Sequence, residues 1–190
     1  MEENVGFLNM FSLYEPPEAL ESVLSRAAVV AADIDAPNRK VSVAIHSEDY
    51  IQREILETVT KEVRAAYGLR KLDLTATHPV SQRDKMTAED LQWLFVQENS
   101  MAIGVLAGAQ WTWEGDVLRI KLLHNGKEIL LDSIPAVQRV LQEKFAAPAT
   151  IEVESGTALE GQALLEALEK MRDSMMVDLP KMKQAEKKVQ

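Results

Sequence analysis

The sequence contains no cysteine, which removes disulfide frameworks, thiolate metal sites and thiol nucleophiles and suits a reducing compartment. No apolar run approaches the roughly 18 residues that a membrane-spanning helix needs. Positive charge is scarce, with 21 Lys and Arg against 30 Asp and Glu and a formal charge of −9. A surface built to grip phosphates needs the opposite balance, so the composition argues against nonspecific nucleic-acid binding. Lys181, Lys183, Lys187 and Lys188 crowd the last ten residues and read as a solvated tail or tether. Glu2 and Glu3 stand where a secretory signal would carry lysines, and these absences together point to a cytoplasmic protein.

What is present is 190 residues, 46% hydrophobic and 27% charged, the composition of a globular chain long enough to bury a core. One pattern occurs twice. Residues 32–45 form a hairpin pattern with Pro37 and Asn38 in its loop, followed by an amphipathic helix ending at Ala66-Tyr67 and a strand over Lys71 to Thr77. Residues 110–122 form a second hairpin, followed by a helix ending at Lys144-Phe145 and a strand over Thr150 to Glu154. Alternating side chains around a short turn give the hairpins, and apolar residues at steps of three and four give the helices. Leu118, Ile120 and Leu122 are the counterparts of Val41, Val43 and Ile45.

The predicted fold is α+β, with two related hairpin–helix–strand units and flanking helices. The expected segments are 1–25 (helical), 26–78 (first unit), 79–109 (connector and helix), 110–156 (second unit) and 157–190 (helix and linker). Ser47, followed by Glu48 and Asp49, predicts the cap of the first long helix, and Gly68 its left-handed end. Thr87 with Asp90 predicts a capping box at the start of the connector helix, which Asn99 and Ser100 break in two. Trp93 falls off that helix's apolar face and should either meet the other half or stay partly exposed. Thr157 and Glu160 predict the cap of a last helix carrying Leu164 and Leu168.

Catalytic patterns are hard to find. Asp33 and Asp35 lie on one side of a strand, as magnesium-binding carboxylates do, but no third carboxylate joins them and a hairpin turn explains them better. His46 and His124 occupy similar places after the second strand of each unit, yet neither has a partner at metal-ligand spacing. There is no GxSxG elbow, and Gly104 with Gly108 lacks the lysine and the preceding strand of a phosphate loop. No catalytic, cofactor-binding or metal-binding residue is expected.

Two long stretches carry a family resemblance. ALESVLSRAAVVAADIDAPNRKVSVAIHSEDYIQREILETVTKEVRAAYGL and, after the connector, AGAQWTWEGDVLRIKLLHNGKEILLDSIPAVQRVLQEKF resemble the N-terminal region of the PolC-type DNA polymerase III alpha subunit. The resemblance runs from about residue 20 to 154. It implies that this chain is a fragment, because that family continues into an oligonucleotide-binding fold, a 3′–5′ exonuclease, a histidinol-phosphatase-like segment and the polymerase core. That N-terminal region is similar to the alpha-binding domain of the clamp-loader tau subunit and to KH-like folds, which implies a noncatalytic docking role. The expected partners are replisome proteins such as clamp-loader tau or single-strand-binding protein.

Phe7, Phe11, Trp93, Leu164 and Leu168 are the residues expected to present an apolar docking surface. The alternative is a KH-like module for single-stranded nucleic acid, using Arg70, Lys71, Arg83 and Lys85. It lacks the GxxG loop with which KH modules clamp a backbone.

Overall fold

A computed structural model describes residues 5–156. It is an α+β fold with two three-stranded sheets of identical strand order. The first sheet holds β1 (Ala28–Asp35), β2 (Lys40–His46) and β3 (Lys71–Thr77), with β2 in the centre, antiparallel to β1 and parallel to β3. The helix α3 (Arg53–Ala66) makes the crossover that a parallel pair requires. The second sheet holds β4 (Gln110–Glu114), β5 (Val117–Lys121) and β6 (Thr150–Glu154) in the same arrangement. Its crossover is α7 (Ile134–Phe145), preceded by the single turn α6 (Lys127–Leu131).

The duplication extends to register. Val41 pairs with Leu72 as Leu118 pairs with Ile151, and Val43 with Leu74 as Ile120 with Val153. Each crossover helix ends in a left-handed residue, Gly68 at φ 58° and Ala146 at φ 45°. In α3 the apolar stripe predicted by its four-residue steps lies on the sheet, with Val59 and Val63 fully buried. Removing each of these side chains from water contributes about 1.5–3 kcal/mol. In α7, Val137, Leu141 and Phe145 do the same against Leu118 and Ile120.

Several local features differ from expectation. Ser47 does not cap α3, which begins at Arg53 after Gln52; its hydroxyl donates instead to the carbonyl of Asp49, at 2.8 Å, and the residue is buried. Pro37 and Asn38 do sit in the first hairpin loop, where Asp35 accepts from both the backbone and side-chain nitrogens of Asn38. That turn role accounts for one of the two aspartates considered for magnesium. The second hairpin closes through Gly115 and Asp116, with Gly115 at φ 59°.

The segments outside the units are part of the cores. α1 (Phe7–Met10) and α2 (Glu18–Leu24) pack beside the first sheet, with Phe7, Phe11, Tyr14 and Leu24 buried among Val43, Ile45 and Val59. A 3-10 turn (Val80–Lys85) leads to α4 (Ala88–Glu98) and the short α5 (Ala102–Val105), split at Asn99 and Ser100 as the sequence suggested. Leu91, Leu94 and Phe95 of α4 belong to the core of the second unit. No helix among the described residues is long and apolar enough to cross a membrane.

Candidate functional site

The two units meet at a groove of about 460 Å³. One wall is α3, the other is α7, and α4 contributes Asp90, Trp93 and Leu94. The open edge of β3 lies along it, with Leu74 and Ala76 among the lining residues.

Asp90 anchors this arrangement. As the third residue of α4 it donates its backbone N–H to the Thr87 hydroxyl, the capping bond expected. Its carboxylate does not complete a capping box. It turns toward the first unit, accepting the Tyr50 hydroxyl and, at 3.1 Å, the backbone N–H of Arg53. Burial and this bond to a carboxylate push the Tyr50 phenol up, so it remains a donor. Asp90 is itself buried, and these bonds supply the pairing that a buried carboxylate requires.

Arg53 pairs with Glu57 at 2.6 Å, one helical turn on, and lies over the Trp93 ring at 5.3 Å from its centre. Trp93 thus meets the other half of the molecule while remaining half-exposed, as its off-face position predicts. Lys144, on the opposite wall, is half-buried, and burial lowers its pKa while the charge of Asp90 opposes the shift. Among the described residues its ammonium has no ion-pair partner.

At one end the groove is closed by a backbone bond from the His78 N–H to the Lys144 carbonyl, at 2.8 Å. His78 is buried between Tyr50 and Phe145, with ring centres at 5.1 and 6.2 Å. Its Nδ1 lies 3.1 Å from the Ser47 carbonyl, which can only accept, so Nδ1 carries the proton. Nε2 is buried without a partner among the described residues. A second proton there would have no acceptor, and burial holds the pKa down at about 4.

The sequence-predicted site residues are dispersed. Phe7 and Phe11 are not surface residues: they are 0% and 4% exposed, in the core of the first unit, because α1 folds back on the sheet. Leu164 and Leu168 lie outside the described residues. Arg83 is also misplaced as a nucleic-acid contact, being 3% exposed. Its guanidinium donates to the Gly115 and Pro148 carbonyls and to Asp116, and lies over the Trp113 ring at 4.6 Å.

Arg70, Lys71 and Lys85 are exposed, Lys71 paired with Asp73 at 2.7 Å. His46 and His124 are not structural equivalents, since the shared register aligns His124 with Ser47. His46 contacts Thr77 at 3.1 Å, whereas His124 is exposed beyond β5. Tyr50, His78 and Lys144 were not singled out in the sequence, because their role depends on the packing of one unit against the other.

No protein-family model matches this sequence, and none of the curated proteins does.

Proposed function

We propose that this chain is a noncatalytic protein-docking domain from the N-terminal region of a PolC-type DNA polymerase III alpha subunit, acting in the cytoplasm. The observation that carries the docking role is the groove between the units. It is open to solvent and presents Trp93, Leu56, Leu74, Val140 and Met86 beside a few charged groups. Such a surface suits a partner polypeptide, for which an aromatic anchor and apolar walls supply affinity and sparse charges fix orientation. The polymerase assignment rests on the resemblance of residues 20–154, and the repeated unit is consistent with a KH-like ancestry turned to protein recognition.

Partners of this kind are expected within the replisome, with the clamp-loader tau subunit and single-strand-binding protein first among them. Immobilised full-length chain should retain one of these purified proteins, and Trp93→Ala should weaken retention without loss of fold. Retention of neither protein overturns the assignment.

A further inference from the structure

The edge of β3 is the unusual part of the groove. The Ser47 N–H donates to the Thr77 carbonyl and the Lys71 N–H to the Arg39 carbonyl, so the odd-numbered residues of β3 turn their backbone toward β2. In a strand the alternate residues must then turn theirs outward. These are Leu72, Leu74 and Ala76, and among the described residues none of their N–H groups has a hydrogen-bond partner. The next outward donor, His78, is taken by Lys144.

The second unit treats the same edge differently. The Ile151 N–H of β6 is capped by the Gln138 side chain of α7 at 2.9 Å. Counting back from the left-handed ends at Ala146 and Gly68, the counterpart of Gln138 is Thr60. Threonine is too short to reach the strand, and its hydroxyl turns back to the Leu56 carbonyl at 2.6 Å. The first unit therefore offers a row of unused backbone donors and acceptors to a groove that already has apolar walls, the arrangement from which strand addition draws affinity.

We infer that the groove takes the extended C-terminal end of a partner protein, added as a fourth strand parallel to β3, with its terminal carboxylate on the Lys144 ammonium. The inference rests on the docking reading of the groove. That it is a chain end follows from the His78 to Lys144 bond, which closes the end toward which β3 runs, and its direction from the Lys144 charge at that end, which favours a carboxylate over an amine. A strand entering beside Leu72 has no path past that bond, so it must end there. The end it presents, if parallel to β3, is a carboxylate. Among the described residues Lys144 is the lining cation without an ion pair, whereas Arg53 is held by Glu57. Glu57, Asp90 and Glu143 also line the groove, so a single terminal carboxylate suits it better than a peptide acidic along its length. Side chains at alternate positions of the added strand would face Leu56 and Val140 on one side and Trp93 on the other.

Random heptapeptides displayed with free C-termini, selected on the full chain, test this. Enriched peptides should carry apolar residues at alternate positions. Titrated into labelled protein, they should shift the amide signals of Leu74 and Ala76 and slow their exchange with solvent. Amidating the peptide terminus should weaken binding about tenfold or more, the effect of losing one charge-assisted bond. Lys144→Gln should do the same, and amidation needs no altered protein should that variant fail to fold.

Binders that leave the Leu74 and Ala76 amides unchanged, or that ignore amidation, overturn strand addition. A library that gives no binder, while the chain still retains a replisome protein, overturns the inference and leaves the docking role standing. Loss of both results removes the two together.

Discussion

The backbone N–H of His78, at the end of the first unit, donates to the carbonyl of Lys144, in the last turn of the second unit's crossover helix, at 2.8 Å. One bond thus ties the two repeats together and sets the closed end of the groove. It also places the His78 ring in a buried position between Tyr50 and Phe145.

That burial makes His78 an acid-sensitive element. Its folded pKa of about 4 lies below the ordinary 6.5, so the unfolded chain binds a proton that the folded one refuses. The neutral ring costs nothing above pH 6.5, and stability is lost as pH falls from there toward 4. At roughly 1.4 kcal/mol per pH unit the loss amounts to about 3 kcal/mol. Urea unfolding at pH 7 and pH 4.5 should show a smaller drop for His78→Phe than for the natural chain. An equal drop would mean that the ring titrates normally.

Arg83 ties the connector to the second hairpin. Arg83→Met removes the donors to the Gly115 and Pro148 carbonyls while keeping much of the packing on Trp113. A loss of about 3 kcal/mol is expected in equilibrium unfolding. Lysine cannot reproduce the forked geometry, so Arg83→Lys should recover less than half of that. Neutralising Arg83 therefore reports on folding, and any trial of nucleic-acid binding belongs to Arg70, Lys71 and Lys85.

Phe7 is fully buried and packs on Phe11 with ring centres 5.0 Å apart. Phe7→Ala should destabilise the chain by about 3–5 kcal/mol, as emptying an aromatic core position does. The midpoint of urea unfolding should fall accordingly. If Phe7 were a surface contact, the change would be within about 0.5 kcal/mol.

The ends of the crossover helices allow a reciprocal test. Gly68→Ala places a side chain at φ 58° and should cost about 1 kcal/mol, although nothing crowds the position. Ala146→Gly, at φ 45°, should stabilise by a similar amount. Thermal unfolding should show a lower midpoint for Gly68→Ala and a higher one for Ala146→Gly; the reverse pair of shifts would mean that chain entropy outweighs backbone strain.

Much of this architecture was legible in the residues. Val41, Val43 and Ile45 alternate, Ile55, Val59 and Val63 step by fours, and the same grammar returns with Leu118 and Ile120, so periodicity alone gave both units and the matching of their central strands. The groove was not legible, because its members are brought together by packing between units. Asp90 reads as the second member of a capping box, and its N–H does donate to the Thr87 hydroxyl, but nothing local says that its carboxylate will cross to Tyr50. Phe7 and Phe11 show the converse, since an apolar start looks the same whether it covers its own sheet or awaits a partner. Arg83 misled for a related reason, a cation in a polar connector being surface by default until a turn carbonyl claims it.

The two sheets each close their ladders locally, and this bears on how the chain emerges during synthesis. All the strand pairs of the first sheet lie before residue 78, so that half can fold while the rest is still on the ribosome. Until α7 arrives, however, the bare margin of β3 has no wall beside it. The interval between making Thr77 and making Lys144 is when the nascent protein is most open to mispairing with a neighbour, and when a chaperone would have most to shield.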